Sequence, residues 1–340
     1  MSTTSPSVSL QSPLRSELAD LRSRLERTIA AVGQAEDLIG LLQQVDEVLS
    51  QVESGDFGRC HVCQEQVDDS DLLANPMAAY CLCKLTPERQ RALQDDLDLA
   101  WRVQAALLPV PGLSAAGWRT HYRYLPHGPV SGDYCDLIVA GSGGEGLYFM
   151  LGDVSGKGVA ASLLMAHLNA SFRALVHDGL PPLELVGRAN RLLAESTLTT
   201  HFATLVCGSA RASGEVEIVN AGHCPPMLVR GRGEVEVLGT TGLPLGLGVS
   251  GRPDSGYSVQ RLALQEGDAL VLYTDGMTEA ATAGDEEYGL HRLTALLARC
   301  NAEGPQELIR NCLADLGSFL NGQERGDDLT ILALQRARAR

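Results

Sequence analysis

The sequence predicts an α+β fold, a two-sheet sandwich of antiparallel strands flanked by helices and preceded by an α-helical amino-terminal region. Two observations carry the sandwich. Short apolar runs at 203–208, 216–220, 226–229 and 235–238 are joined by glycine-containing turns, the pattern of antiparallel strands. Paired helical stretches interrupt the strands, at about 158–178 with 182–196 and 289–300 with 305–321, and layers of helix on sheet follow from that alternation. A third observation sets the amino-terminal region apart: Leu18, Leu21, Leu25, Ile29, Val32, Ala35, Ile39, Leu42, Val45 and Leu49 recur at spacings of three and four, one apolar stripe on a long helix or a helical pair.

The 340 residues suffice for two domains, or one large domain with an extension. Apolar content of 44% supports a sizeable core, and aromatic content of 4% leaves Leu, Val and Ala to fill it. A net charge of −15 repels phosphate backbones and acidic headgroups, so neither direct nucleic-acid binding nor a membrane is expected. No run approaches the ~18 consecutive apolar residues of a membrane span. The start, MSTTSPSVSLQSPLRSE, has no basic stretch followed by an apolar one, so a cytoplasmic protein is expected.

Residues 1–12, rich in Ser, Thr and Pro, are expected to be disordered. Over 13–85 the apolar stripe is covered either by a hairpin within one chain or by a dimeric coiled coil. Cys60 and Cys63 are then separated by seventeen residues from Cys81 and Cys83. Four of nine cysteines in so short a span suit a structural Zn2+, the alternative being an empty or redox-active cluster. This segment resembles the zinc-finger end of the DksA/TraR family, from which it departs in its second pair, CxC instead of CxxC. A connector helix is expected over 86–110, with Thr86 as N-cap, Pro87 in the first turn and Pro109 as the stop. Leu93, Leu97, Ala100, Gln104, Leu107 and Leu108 give it an apolar face, and Trp101 asks for a partner surface.

The catalytic candidates lie in the remaining domain, 111–340. Leu147–Leu151 reads as a buried strand running into Gly152-Asp153-Val154-Ser155-Gly156-Lys157-Gly158, with a helix after it. An Asp at a strand end followed by glycines holds a metal or a phosphate, or else simply caps a turn. Acidic turns recur at other apolar runs: Asp133 and Asp136 before 137–140, Asp275 after 269–274, Asp327 and Asp328 before 329–334. Several carboxylates at the edges of one sheet repel one another unless a cation offsets them, and hard cations such as Mg2+ or Mn2+ prefer oxygen ligands. The string 141–146 reads as a hairpin turn, not a phosphate loop, since it lacks the Gly-Lys-Ser/Thr ending. A glycine-containing stretch at 240–265 is expected to form a loop over the site, and Cys135, Cys207, Cys224, Cys300 and Cys312 to be small core residues.

GDYCD, LGDVSGKG, AGHCPP, LYTDGMTEA and GDDLTIL, in that order, resemble the signature set of the SpoIIE/RsbU-type serine/threonine phosphatases, the bacterial branch of the metal-dependent PPM (PP2C-like) family, over Leu97 to Arg336. The resemblance implies an αββα sandwich and a site for two catalytic ions, Mn2+ or Mg2+. Asp153 and Asp275 would be the principal ligands and catalytic residues, Asp133 and Asp327 would complete the site, and the Val154 carbonyl would be a backbone ligand. Asp136 and Asp328 stay open as neighbours. Such a site hydrolyses a phosphoester with an activated water and needs no protein nucleophile. Eukaryotic relatives carry His where Ser155 stands, which leaves the general acid open between Lys157 and metal-bound water; His223 is a further candidate, or part of a structural turn. The implied substrate is a phosphorylated STAS-type regulatory protein, an anti-sigma-factor antagonist in a partner-switching pathway, with a homodimer formed through the amino-terminal or connector helices. The competing reading is a catalytically weak or inactive adaptor acting through the DksA-like region.

Overall fold

The computed structural model describes residues 87–140, 146–196, 201–231, 233–247, 256–300 and 304–337, with isolated positions up to residue 57. The cluster Cys60, Cys63, Cys81 and Cys83, the proposed disorder of 1–12 and the turn at 141–145 lie outside the described residues. Two compact units divide between Gln94 and Asp95. In the first, positions 18, 22, 42, 45, 46 and 48–52 are helical, and Leu18, Val45, Val48 and Val52 are buried at the spacing of an apolar stripe. Arg22 Nε lies 2.7 Å from Asp46 Oδ1 in this unit.

The connector is a helix, α1 (Pro87–Leu107), ending before Pro109 as its sequence requires. Gln104 is buried on it, with its side chain bonded to the Ser131 backbone in both directions, whereas Trp101, for which a partner surface is expected, is 49% exposed. Among the described residues eleven strands follow, in two sheets. One contains β1 (Ser114–Ala115), β2 (Trp118–Leu125), β7 (Met227–Val229), β8 (Val235–Val237), β10 (Ala269–Tyr273) and β11 (Leu329–Arg336), in the order β1-β2-β11-β10-β7-β8. The other is β3 (Asp133–Ala140), β4 (Gly146–Val154), β5 (Ala203–Arg211), β6 (Glu215–Ala221) and β9 (Gln260–Ala263), in chain order. Every described pairing is antiparallel.

Side-chain alternation explains the layers. Leu147, Phe149 and Leu151 of β4 meet Leu270 and Leu272 of β10 and Leu332 and Leu334 of β11 between the sheets. Met150 of β4 faces the other way, toward α2 (Gly158–His177) and α3 (Pro182–Ser196). On the opposite side, Val271, Tyr273, Ile331 and Ala333 pack against α5 (Gly289–Arg299) and α6 (Pro305–Leu320). Both faces of each sheet are therefore covered, which is why β4, β10 and β11 read as unbroken apolar runs instead of alternating ones. α2 is long and apolar enough to cross a membrane by composition, but its Ala161, Met165, Leu168, Phe172 and Val176 form one buried stripe in the sandwich core.

Three expectations are corrected. The hairpin expected around the turn at 141–146 is β3 with β4, paired from Asp133↔Asp153 to Ala140↔Gly146, but it does not reach back to 119, because β2 joins the other sheet and pairs with β11 from Trp118↔Arg336 to Leu125↔Leu329. Pro126 and Pro129, which lack N–H donors, fill the connection and keep it from continuing a ladder. The strands from 203 to 238 are not one run: the chain crosses between sheets at Cys224-Pro225-Pro226, where two consecutive prolines end the pairing. The stretch 240–265 is not all loop, since β9 pairs with β6 and Leu245 bridges Ala203.

Asp268 anchors the turn into β10. Its carboxylate accepts from the Gln265 and Gly231 backbone N–H groups and from Arg230 Nη1, each at 2.9 Å. Burial raises its pKa, but these donors outweigh burial and hold it below the usual carboxylate value. A depressed folded-state pKa contributes stability above about pH 4 that is lost as pH falls through the folded value. Asp268→Asn is expected to lower the unfolding free energy by about 2 kcal/mol at pH 7, with the gap to the parent closing as denaturation is repeated toward pH 3; a gap independent of pH would contradict this account.

Candidate active site

The register between β3 and β4 makes Asp133 the direct partner of Asp153, so two carboxylates stand side by side at the same end of the five-stranded sheet. At the matching end of the other sheet, β10 runs through Thr274 into the short helix α4 (Asp275–Thr278), and Asp327 and Asp328 precede β11. A hydroxyl clasp joins the two sheets there: Thr274 Oγ1 donates to Asp133 Oδ2 at 3.1 Å and Thr330 Oγ1 to the same oxygen at 2.5 Å. Thr330 N–H in turn donates to Thr274 Oγ1 at 2.8 Å. Gly276 lies so close to the Asp328 carbonyl that a Cβ would collide with it, which seats Asp275 against the 327–328 turn.

The remaining acids sort by what they touch. Lys157 Nζ sits 2.9 Å from Asp327 Oδ2 and donates to the Gly326 carbonyl at 3.3 Å. Asp328 accepts from the His127 and Gly132 backbone N–H groups, at 2.7 and 3.1 Å, and so ties the β2–β3 connection to the one before β11. Asp136, three residues along β3, points to the opposite face. Arg173 of α2 grips it through two nitrogens at 2.8 and 2.9 Å, and Asn169 adds a third donor at 3.3 Å. Asp136 thus belongs to the helix–sheet interface, and the DYCD motif sends one acid to each side of its sheet.

The charges of these acids act on one another. Burial pushes Asp133 well above the ordinary carboxylate value, and the Asp153 charge adds to this. Burial also raises Asp153, to about 7, with help from Asp275, Asp327 and Asp328. Asp275 is raised by burial and then by Asp327. Glu279 was not singled out in the sequence, yet its carboxyl is raised by burial and by Asp275, Glu287 and Asp327, which places it in the same field. Among the described residues no three His, Cys, Asp or Glu are drawn together closely enough to hold a metal ion as they stand. The donor set nonetheless fits a hard divalent cation: it is all oxygen, and its members disfavour one another's ionisation. Val154, after Asp153, donates its N–H to Gly132 at 3.3 Å and leaves its carbonyl 3.1 Å from where a Gly132 Cβ would stand.

Ser155 and the candidate acid His223 are both engaged within the fold. Ser155 exchanges bonds with Phe202, its N–H donating to the Phe202 carbonyl and its Oγ accepting the Phe202 N–H, both at 2.9 Å. His223 is buried, its Nδ1 is 2.8 Å from Thr204 Oγ1, and burial lowers its pKa to about 4, so it is neutral near pH 7. The sequence also contains a Cys-x5-Arg string, Cys224 to Arg230, the spacing of a cysteine-phosphatase loop. Here Met227–Val229 is strand, Arg230 bonds Asp268, and burial with Asp275, Glu279 and Asp153 pushes the Cys224 thiol up to about 12, opposite to what a thiolate nucleophile needs.

The family model described as stage II sporulation protein E (SpoIIE) matches residues 143–337, more than half of the chain. The chain belongs to the SpoIIE family. Residues 1–142, with the four clustered cysteines and Asp133, lie outside that match. Among curated relatives, the phosphoserine phosphatase RsbU of Bacillus subtilis is 25% identical over 73% of this SpoIIE-family chain and 72% of its own length. Protein IcfG of Synechocystis sp. is 26% identical over 71% of the chain, which spans only 41% of IcfG. The crystal structure of the RsbU and RsbW domains of Rv1364c from Mycobacterium tuberculosis superimposes with a TM-score of 0.56 at 29% identity, covering 68% of this chain and 62% of that one. The two-sheet PP2C-like architecture expected from the motifs is therefore that of the family.

The assignment of Asp136 to packing has a direct consequence. Arg173→Ala leaves a buried carboxylate without its cation and is expected to reduce the unfolding free energy by about 3 kcal/mol, with partial recovery in Arg173→Ala/Asp136→Asn. Chemical denaturation reads both; a loss below about 1 kcal/mol for the single variant would show that Asp136 is not held this way.

Proposed function

We propose that this chain is a divalent-cation-dependent protein phosphatase that hydrolyses phosphoserine or phosphothreonine on a regulatory protein, of the STAS type in a partner-switching pathway. The observation that carries the proposal is that Asp133, Asp153, Asp275 and Asp327, from four separate stretches of chain, stand at matching ends of the two sheets, joined there by the Thr274 bond to Asp133. Asp153 and Asp275 would hold the larger share of two Mn2+ or Mg2+ ions, with Asp133, Asp327 and the Val154 carbonyl completing the set. Such ions, when bound, neutralise phosphate oxygens and acidify a water.

The protein's own groups do the positioning. Thr274 and Thr330 orient Asp133, while Asp328 fixes the backbone at Gly132 and His127. The N-terminus of α2, entered through Gly156 and Gly158 with φ of 96° and 71°, directs backbone N–H groups and a positive dipole end toward the same turn, which suits an anionic phosphate. Lys157 brings a cation to that mouth. With His223 neutral and Ser155 engaged, Lys157 is the favoured protein donor for the leaving serine oxygen. RsbU, a phosphoserine phosphatase, supports the substrate class. Exposed Leu99, Trp101 and Val103 on α1 support a homodimer through the connector.

Hydrolysis of p-nitrophenyl phosphate and of a phosphoserine peptide is expected to require Mn2+ or Mg2+, and Asp153→Asn or Asp275→Asn to lower kcat/KM at least about 100-fold with the fold intact by circular dichroism. Undiminished turnover in both variants, or none in the parent with either ion, would favour the adaptor reading. Because Asp133 and Asp153 are raised, ion binding must displace protons. Calorimetry at pH 7 in buffers of different ionisation enthalpy is expected to show proton release, with affinity weakening as pH falls below about 7; pH-independent binding without proton release would contradict the raised values.

A further inference from the structure

The proton-donor role proposed for Lys157, in the turn between β4 and α2, does not account for the ion pair that this residue makes. Lys157 lies between two left-handed glycines, Gly156 and Gly158, and its backbone is extended at φ −133° and ψ 165°. From there its ammonium reaches across to the connection before β11 and takes two acceptors on it, Asp327 Oδ2 at 2.9 Å and the Gly326 carbonyl at 3.3 Å. The other carboxylates are engaged differently: Asp133 by threonine hydroxyls, Asp328 by backbone N–H groups, Asp153 and Asp275 by one another's fields. Asp327 is the member of the cluster whose side-chain partner is a cation.

We infer that Lys157 is a tethered counter-cation that competes with a divalent ion for Asp327. This rests on the divalent-ion reading and adds a regulatory property to it: the ion on the Asp327 side must displace the ammonium before it binds. The physical basis is simple exclusion. A carboxylate oxygen at 2.9 Å from an ammonium cannot also bind a hard dication at ~2.1 Å without the two positive charges crowding each other. The pair is half exposed on both sides, 65% for the Lys157 side chain and 42% for Asp327, so it opens readily. Competition of that strength weakens the ion's apparent affinity without abolishing it, and the ammonium set free is left beside the phosphate-facing helix N-terminus.

The test is isothermal titration of the chelator-stripped full chain with Mn2+, comparing the parent, Lys157→Gln, Lys157→Arg and Arg325→Gln. Arg325 lies two residues before Asp327 and donates to the Leu125 carbonyl, so its variant removes a nearby positive charge without freeing Asp327. Lys157→Gln is expected to bind Mn2+ about 5-fold more tightly than the parent, while Lys157→Arg and Arg325→Gln stay within about 2-fold. Equal or weaker binding in Lys157→Gln overturns the inference, as does equal tightening in Arg325→Gln, which would reduce the effect to net charge. Asp153→Asn separates the two readings: if it binds like the parent, the ion lies elsewhere and the proposed site fails. Mn2+ binding in neither the parent nor Lys157→Gln overturns both. Melting temperatures in chelator establish that each variant is folded.

Discussion

Repulsion among carboxylates is the constraint around which this fold is arranged. Asp133 and Asp153 are paired across a ladder, Asp275 and Asp327 approach them from the other sheet, and burial denies Asp133, Asp153 and Asp275 full hydration. A group of this kind destabilises a folded chain unless protons, hydroxyls or cations offset it. The structure supplies hydroxyls at Asp133 and an ammonium at Asp327, and burial pushes the Asp133 carboxyl above its ordinary value. A divalent cation would replace several such compensations at once, so the site reads as one built to exchange its counter-charge.

The sandwich supplies the rigidity that such a site needs. Leu147, Phe149 and Leu151 lock β4 against β10 and β11, so the end of the inner sheet that bears Asp153 cannot drift from the end that bears Asp275. The Asp133 clasp to Thr274 and Thr330 then fixes the spacing of the sheets at the mouth. Apolar strands hold the positions, and the acids stand at the strand ends and in the turns beyond them. Function sits where the ladders stop.

Much of this was legible in the chain. β4, β10 and β11 announced themselves as apolar runs because both of their faces are covered, and the helical stretches expected at about 158–178, 182–196, 289–300 and 305–321 are α2, α3, α5 and α6. The pairing of β2 with β11 was not legible, since partners some 200 residues apart leave no local mark. The sheet change at Pro225 and Pro226 was missed because its neighbours each look like ordinary hairpin strands. Asp133 and Asp136 illustrate what spacing can still settle: an odd separation along a strand puts them on opposite faces, and Asn169 with Arg173, four apart on α2, forms the cradle for the second. Glu279 had no such signal, because its relation to Asp275 depends on the geometry of a single helical turn.

The central claim is that the aspartates of both sheets form one cage for divalent ions. Diffraction from crystals soaked in Mn2+, recorded above the manganese absorption edge, tests it most directly. The account predicts anomalous peaks enclosed by Asp133, Asp153, Asp275 and Asp327, with Lys157 moved off Asp327. Peaks confined to surface acids, with the Lys157 to Asp327 pair undisturbed at saturating Mn2+, would contradict it.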